Sequence, residues 1–348
     1  MTEFAILGAG PAGCAAAIML ARAGRDVLLL ERTAAPREVV CGEFLGVDAA
    51  AALAVLGLDA AALGGVPLRR LRVAHGTRET AAVLPFAAWG LSRLRLDAAL
   101  QAAAGPALHR GVTVLGAAPE GAGWRIRTSA GEVAARQVIL ATGKHALRGF
   151  PRTGAGWIGL KLHLDGVDPG DAVALLPFVG GYAGLQPTPG GGANLCAAVR
   201  AVPEDWLAAV AGGSALGARL LRDARPRWTR PLAVAGVPYG FRLGPGGPPG
   251  LFRIGDQASV IPSFTGEGVA LALHSGLAVA AAILAEQDAA GFHAAWRRRS
   301  AVPMHWAAAG AWALRAAPAG FAAAATIGPL ARLVAGRTRL DISRGIGL

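Results

Sequence analysis

Alternating apolar blocks open the chain. Residues 4–7 form a short apolar run that ends in glycines, residues 11–23 are rich in alanine and close at Gly24, and residues 27–30 are apolar again. Short apolar runs bounded by turn residues predict buried strands, and longer apolar stretches predict helices. We therefore expect the chain to begin as strand, helix, strand.

The same signals continue along the chain. We expect helices over 48–56, 96–103 and 268–286, a helical chain from Gly291 onward, strands over 69–74, 80–84, 112–115, 124–128, 133–135 and 138–141, and a strand-rich region over 157–199. Alternation over 112–135 is typical of an antiparallel sheet, and the fully apolar run at 138–141 of a parallel one. The pattern predicts an α/β fold with a parallel sheet and a small antiparallel sheet, a second domain built on an antiparallel sheet, and C-terminal helices.

A glycine loop joins the first strand to the first helix. Gly8, Gly10 and Gly13 have the spacing GxGxxG, with Pro11 and Ala12 between them. The first glycine permits a tight turn, the second lets the backbone approach a diphosphate, and the third lets helix and strand pack closely. The helix N-terminus adds unpaired N–H groups and a positive dipole. This loop predicts a dinucleotide site.

The second strand ends in Glu31-Arg32, and Glu31 lies 23 residues after Gly8. A carboxylate there can accept hydrogen bonds from both hydroxyls of an adenosine ribose and would repel a 2′-phosphate. The predicted ligand at this site is therefore NAD or FAD rather than NADP.

A second motif near residue 260 favours FAD. Gly255-Asp256 follows an apolar strand, and Pro262, Gly266 and Gly268 precede a helix. This run resembles the second FAD fingerprint of the para-hydroxybenzoate hydroxylase and geranylgeranyl reductase superfamily. The resemblance implies a glutathione-reductase-type, Rossmann-like FAD domain with non-covalent FAD, and an Asp256 that holds the ribityl chain. A helix dipole at the flavin N1 and O2 positions would stabilise the anionic reduced ring.

Two further motifs match the same superfamily. Ser92-Arg93 precedes a helix, and the resemblance implies that Arg93 contacts the FAD phosphate or ribityl region. Thr142-Gly143 follows the strand at 138–141, where the hydroxylases carry an Asp-Gly pair that also binds the nicotinamide cofactor. NAD(P)H as an external reductant thus stays possible without support from a second motif.

The reacting side is predicted from the segment that ends in Cys41-Gly42-Glu43. It resembles the segment of geranylgeranyl reductases that lies over the flavin, which implies Cys41 and Glu43 as catalytic candidates; a compact buried cysteine is the alternative. Tyr182, Pro187 and Asn194 are retained from the reductases' Tyr-x-Trp-x-Phe-Pro and Asn pattern, which makes Tyr182 a third catalytic candidate. Flavin halogenases carry two tryptophans at this spacing, which this chain lacks, so halogenation is not expected.

Lys161 and His163 fall on one face of a predicted strand. That face could be a pocket wall or a solvent-exposed surface. We favour the exposed surface, because the sequence shows no third polar partner.

Composition narrows the function classes. Hydrophobic residues make up 53% of the 348 residues and charged ones 16%, which is typical of a globular chain. The net charge of +12 comes almost entirely from arginine, since Lys144 and Lys161 are the only lysines among 34 basic residues. We attribute this bias to base composition, and no pattern of basic and aromatic residues indicates nucleic-acid binding.

Three separated cysteines, Cys14, Cys41 and Cys196, predict neither a disulfide framework nor a metal site. No signal peptide is evident, and a cytoplasmic location is expected. Arg315, Pro318 and Pro329 interrupt the apolar tail, so no transmembrane segment is expected, while peripheral membrane contact of the C-terminal helices stays open.

These observations together predict a domain plan and a function. Residues 1–75, 92–155 and 248–290 would form a composite FAD-binding domain, 76–91 and 156–247 a substrate domain, and 291–348 a helical segment. We expect an FAD-dependent oxidoreductase that transfers hydride, by dehydrogenation or C=C reduction, on a small, largely apolar organic substrate. An aromatic monooxygenase and an electron-transfer or quinone-binding flavoprotein remain alternatives, and the electron donor or acceptor is not defined.

Overall fold

A computed structural model of the protein describes residues 1–154, 156–324 and 336–340. The predicted helical segment 291–348 lies partly outside the described residues. Where it is described, it forms helices up to residue 324, as expected.

The described residues form two large sheets with helices packed on them. The strands are β1 (Thr2–Leu7), β2 (Val27–Glu31), β3 (Phe44–Leu45), β4 (Val66–His75), β5 (Arg78–Gly90), β6 (Leu108–Arg110), β7 (Val114–Glu120), β8 (Gly123–Thr128), β9 (Gly131–Leu140), β10 (Trp157–Asp165), β11 (Ala172–Phe178), β12 (Gly181–Pro187), β13 (Ala193–Val199), β14 (Arg225–Pro226), β15 (Leu232–Val237) and β16 (Leu251–Arg253). The helices are α1 (Pro11–Arg22), α2 (Val47–Val55), α3 (Arg93–Ala104), α4 (Trp206–Gly212), α5 (Ala215–Leu221), α6 (Gly268–Leu284), α7 (Ala289–Arg299), α8 (Ala301–Ala316) and α9 (Pro318–Ala324).

The first sheet has the strand order β6-β2-β1-β9-β8-β7, and β16 also pairs with β9. β1 pairs in parallel with β2 and β9, which places two loops at the carboxyl ends of these strands side by side. The pattern predicted separate strands at 133–135 and 138–141. They are one strand, β9, whose first part pairs antiparallel with β8 and whose last residues are buried and pair in parallel with β16. The small antiparallel sheet is thus continuous with the parallel one.

The second sheet has the order β14-β10-β13-β12-β11-β4-β5-β3, and β15 also pairs with β10. Its neighbours are antiparallel except β11 and β4, which are parallel. Because β4 pairs with β5 and β11, residues 66–75 belong with this sheet. The predicted domain boundaries stay predictions.

Close backbone packing joins α1 to the second glycine motif. A Cβ on Gly276 of α6 would overlap the carbonyl oxygen of Ala12 and lie 2.7 Å from the Cβ of Ala15. A Cβ on Gly255 would lie 3.0 Å from the Cβ of Ala12. Glycine and alanine at these contacts let the two helix backbones approach, so both glycine motifs meet at the first turn of α1.

Replacing Gly276 by alanine should lower the free energy of unfolding by about 1–3 kcal/mol, because the added methyl group forces two buried helices apart. Gly212→Ala is the matched control, since a Cβ at this helical glycine would meet nothing within 4 Å. We expect it to be neutral or slightly stabilising. Urea unfolding of both variants checks this, and equal effects would contradict the packing described.

Candidate active site

One cavity of about 1280 Å³ extends along the carboxyl ends of β1, β2 and β9 and onto the second sheet. Ligand pockets usually measure about 300–1000 Å³, so this one has room for a dinucleotide and a second molecule. The predicted site residues that line it are Gly8, Gly10, Pro11, Ala12, Glu31, Arg32, Cys41, Glu43, Arg93, Thr142, Gly143, Tyr182, Gly255, Asp256, Gly266 and Gly268. Gly13 and Pro262 are not among its lining residues.

The glycine loop has the packing that its spacing predicted. Gly8 has a positive φ of 111°, and a Cβ there would lie 2.6 Å from the carbonyl oxygen of Ala141. A Cβ on Gly13 would overlap the carbonyl oxygen of Gly8, so this glycine serves the packing of α1 on the loop. A Cβ on Gly10 would meet nothing within 4 Å, which leaves the backbone accessible from the cavity.

Glu31 lies at the end of β2 and reaches back to this loop. Its carboxylate accepts hydrogen bonds from the backbone N–H of Ala9 at 3.1 Å and of Thr33 at 3.0 Å. The adjacent Arg32 contacts the His145 ring at 2.8 Å. Burial and then the Arg32 charge lower the pKa of His145.

α3 contributes a cation and an unpaired acceptor. The Arg93 guanidinium donates two hydrogen bonds of 2.9 Å to Asp97 and also contacts the Cys41 sulfur. Burial opposes its charge, but Asp97 and Cys41 raise the pKa of Arg93 above its usual value. Gln101 donates to the Ala9 carbonyl at 3.0 Å, while its buried Oε1 has no hydrogen-bond partner among the described residues. Sequence reasoning missed Gln101, because it follows no motif.

Gln257 joins the Thr142-Gly143 motif to the motif that begins at Gly255-Asp256, although it is not one of the residues by which either motif was recognised. Gln257 Nε2 donates to the carbonyl oxygens of Gly143 at 2.8 Å and His145 at 2.9 Å. The backbone N–H of Gly255 donates to Ser275 Oγ at 2.8 Å. The loop after β9 and the turn at Gly255 thus form one structural unit on the cavity wall.

A buried acid precedes α6. Glu267 lies 3.3 Å from Arg339, and its Oε2 has no hydrogen-bond partner within the described part of the chain. Burial raises the pKa of Glu267 to about 8, against the opposing effect of Arg339 and with a smaller rise from Asp48. The side chain is therefore mostly neutral at pH 7 and leaves the positive end of α6 uncancelled.

Lys161 and His163 are buried, so the expectation of a solvent-exposed face was wrong. Both contact Glu43, Lys161 Nζ at 2.6 Å and His163 Nε2 at 3.0 Å. Lys161 also contacts Glu38 at 2.6 Å. These carboxylates stand more than a hundred residues earlier in the sequence, which is why the pattern showed no partner.

Side-chain amides hold the backbone around Cys41. Asn194 Nδ2 donates to the carbonyl oxygens of Cys41 at 3.2 Å and Gly42 at 2.9 Å, and Gln186 Nε2 donates to that of Glu43 at 2.8 Å. This gives Asn194, noted from the family pattern, a defined contact. Gln186 stands where that pattern has phenylalanine, so the pattern gave no signal for it.

Tyr182 is buried in the same wall. Its hydroxyl lies 2.9 Å from Ser263 Oγ, and burial raises its pKa to about 12. The phenol therefore keeps its proton at neutral pH and can donate a hydrogen bond into the cavity.

Glu38, Glu43 and His163 come close enough together to suggest a metal site. The Lys161 ammonium, however, lies 2.6 Å from both carboxylates and already supplies the positive charge between them. Our expectation that the protein binds no metal stays a prediction.

The remainder of the cavity is mostly apolar, although Arg339 also lines it and lies over the Phe86 ring. Its walls come from the second sheet, the loop before α6, and α8 and α9: Leu71, Leu84, Phe86, Val173, Leu175, Val234, Phe264, Trp306, Trp312 and Phe321. The sequence predicted the C-terminal helices but gave no signal that they would cover this chamber.

Comparisons with known proteins agree with this architecture. Residues 6–37 match the family model of the NAD(P)-binding Rossmann-like domain. The flavin-dependent brominase Bmp2 is 21% identical with a TM-score of 0.78, covering 98% of this chain and 95% of its own. A geranylgeranyl bacteriochlorophyll reductase-like protein from Thermoplasma acidophilum is 20% identical with a TM-score of 0.68, covering 98% and 94%.

The protein has the fold of the FAD-dependent flavoenzymes. Among curated proteins, the chain is similar to menaquinone reductase from Mycobacterium tuberculosis, with 39% identity over 100 residues. That match covers 27% of this chain and only 24% of the reductase. A menaquinone reductase from Mycolicibacterium smegmatis is 46% identical over 56 residues, 16% of this chain and 14% of its own.

The cavity of the protein fits FAD. Among the described residues, no side chain caps the N-terminus of α1 or of α6 by a hydrogen bond. The backbone N–H groups of both N-termini can therefore bind the cofactor. A Cβ on Gly10, Gly143 or Gly268 would meet nothing within 4 Å, and the unpaired Oε1 of Gln101 adjoins the glycine loop. Glu31 would hold the adenosine ribose and Asp256 the ribityl group; these individual roles remain predictions.

None of the helices in the described ranges combines the length and apolarity needed to cross a bilayer. The cytoplasmic location and the peripheral contact stay predictions.

Replacing Glu31 by alanine should weaken FAD binding by about 1–3 kcal/mol, because charge-assisted hydrogen bonds to the ribose would be lost. Fluorescence titration of the apoprotein with FAD measures the effect. The exposed Glu204→Ala variant controls for a general change in charge. Unchanged affinity in Glu31→Ala would remove Glu31 from the site.

Glu267 should make stability depend on pH. Its pKa rises from 4.5 to about 8 on folding, so between these values the folded state keeps a proton that the unfolded state has lost. The contribution of Glu267 to folding stability is therefore fully present below pH 4.5 and is lost as the pH rises through the folded-state pKa of about 8. Glu267→Gln, which cannot titrate, should gain stability relative to the wild type as pH increases. Urea unfolding at several pH values checks this, and a constant difference would contradict it.

Proposed function

We propose that the protein is an FAD-dependent oxidoreductase that exchanges hydride with an apolar organic substrate, by dehydrogenation or C=C reduction. The observation that carries this proposal is the continuity of one cavity. It begins at the glycine loop, passes the segment around Cys41, and ends in a chamber with apolar walls. A chamber of this kind beside a flavin site favours a bound organic substrate over simple electron transfer.

The protein's own residues would bind and shield the reactants. The FAD, when bound, supplies two-electron chemistry as a hydride acceptor or donor. Phe264, Phe321 and their apolar neighbours would pack against an apolar substrate and displace water from that part of the chamber. Tyr182 and Ser263 form a hydroxyl pair in its wall and can orient an oxygen on the substrate.

Cys41 and Glu43 take different roles in this proposal. Cys41 lines the cavity and is half-buried, so it is placed to contact flavin or substrate. Burial opposes the charge of Glu43, but His163 and Lys161 lower its pKa below the usual range. A carboxylate that stays ionised and paired is a poor proton donor, so we assign Glu43 to positioning rather than to acid catalysis.

A quinone is the substrate class with most support. The local similarity to the mycobacterial menaquinone reductases points to it, and the pairing of an apolar chamber with the Tyr182 hydroxyl suits a ring that carries oxygens and an apolar substituent. Aromatic hydroxylation is less well supported, since Thr142-Gly143 replaces the Asp-Gly pair of the hydroxylases.

Anaerobic single turnover tests the proposal. The FAD-loaded protein is reduced with one equivalent of dithionite and mixed with a menaquinone that carries a short prenyl substituent. Flavin absorbance is followed, and the product is exposed to air before mass spectrometry. Air returns a quinol to the quinone, so two hydrogens that remain in the product show that a C=C bond of the prenyl group was reduced.

Each alternative gives a different outcome. Flavin reoxidation with recovery of unchanged quinone indicates reduction of the quinone ring only. Addition of one oxygen atom to an aromatic substrate, when oxygen is supplied, indicates the monooxygenase. If the flavin is not reoxidised faster than without substrate, quinones are excluded as the substrate class.

Cys41→Ser should change the turnover rate or the flavin reduction potential while FAD occupancy stays near that of the wild type. The sulfur lies on the cavity wall, whereas the glycine loop and Glu31 that would anchor FAD are separate from it. Spectroscopic titration with a redox dye and steady-state kinetics measure the two quantities. If turnover, spectrum and potential are all unchanged, Cys41 is a packing residue.

A further inference from the structure

The two lysines of the protein both contact residues 38–43, which we call the cysteine segment. Lys144 Nζ donates to the carbonyl oxygen of Val40 at 3.1 Å. Lys161 Nζ contacts the carboxylates of Glu38 and Glu43 at 2.6 Å each. Since the other 32 of the 34 basic residues are arginines, lysine occurs only where it touches this segment.

Lys161 is fully buried, which is costly for an ammonium group unless it is well paired. Burial acts to lower its pKa, but Glu43 and Glu38 raise it above the usual value. Lys161 therefore carries its charge within the wall between the second sheet and the cysteine segment.

Glu43 transmits this interaction to the backbone. It has a positive φ of 61°, a conformation that is strained for a residue of this kind. Its carboxylate contacts Lys161, accepts from the backbone N–H of Arg93 at 2.8 Å, and lies 3.0 Å from His163. Its own backbone N–H donates to the Cys41 sulfur at 3.3 Å. The strained turn that places Cys41 is thus held from β10 and from the start of α3.

A larger cation would not suit this place. Gly159 lies two residues before Lys161 on the same face of β10, and a Cβ there would lie 2.9 Å from the Val40 side chain. The cysteine segment therefore packs directly against the strand. A compact ammonium can donate to two carboxylates at this distance, whereas the planar fork of arginine needs more space.

We propose that Lys161 and Lys144 are positioning residues that fix Cys41 in the cavity wall, Lys161 through Glu43 and Lys144 through the Val40 carbonyl. The importance of Cys41 to the reaction rests on the proposed function. The position of Cys41 does not depend on the proposed function, and it can be measured without substrate.

The test is the rate at which iodoacetamide alkylates Cys41 in the FAD-loaded protein, assigned by mass spectrometry of the cysteine peptides. In Lys161→Met the buried Glu43 charge loses its ammonium partner, and we expect alkylation to speed up about tenfold as the turn opens. Lys161→Met combined with Glu43→Gln removes both charges while the amide still accepts from Arg93. This double variant should return to within about threefold of the wild-type rate.

Lys144→Met provides a second measurement should Lys161→Met fold poorly, because Lys144 is only partly buried. We expect a rise of about threefold, the loss of one hydrogen bond. Arg70→Met, which breaks the exposed ion pair with Asp171 in the same sheet, is the matched control and should match the wild type.

Hydrogen exchange of the peptide that spans residues 38–45 gives a readout that does not need an accessible thiol. It should accelerate in both lysine variants while peptides from β1 and α1 stay unchanged. Rates within about twofold of the wild type in both lysine variants would overturn the proposal, as would failure of the double variant to recover or an equal rise in Arg70→Met. None of these outcomes depends on whether the enzyme reduces a quinone.

Discussion

Backbone contact between the first glycine loop and the end of β9 sets the position of the cavity. The N–H of Ala141 donates to the Leu7 carbonyl at 2.9 Å. Because Gly8 has no side chain, the loop can lie against Ala141. β16 joins the same edge when Ile254 N–H donates to the Leu140 carbonyl at 3.1 Å. Three segments that are distant in sequence therefore end side by side, and the first turns of α1 and α6 are fixed on the same cavity.

The dinucleotide half of the site could be predicted because its chemistry is local. Gly13 is required by its contact with Gly8 in the same loop, and Gly8 by its contact with Ala141 at the end of the neighbouring strand β9. Glu31 could be placed because it ends the apolar run of β2. Even the closeness of the two glycine motifs follows from a general rule, since parallel strands gather the loops at their carboxyl ends. The sheet to which β4 belongs could not be predicted, for a complementary reason. β4 and β5 are joined by a tight turn and share a sheet, but nothing in their own alternation shows which sheet that is.

The reacting half could be predicted only in part. Family resemblance pointed to Cys41, Glu43, Tyr182 and Asn194, which all lie in one wall, but it could not show what holds them. Lys161 was misjudged because its burial depends on two carboxylates, Glu38 and Glu43. They lie on the segment that connects β2 of the first sheet to β3 of the second. A buried charge is invisible to periodicity when its partner is remote in sequence, and only the fold brings them together. Gln101 was missed because it follows no motif, and the backbone carbonyls that Gln101 and Gln257 contact are also remote in sequence.

The scarcity of lysine has a consequence for labelling. Reagents that modify primary amines ordinarily report on a protein's whole surface, because lysines are spread over it. Here the side-chain amines are confined to one stretch of the cavity wall, one partly exposed and one enclosed by carboxylates. A methyl group carrying an NMR-active carbon, attached to Lys144, would therefore act as a resident spectroscopic reporter beside the cofactor cavity, introduced without changing a single codon.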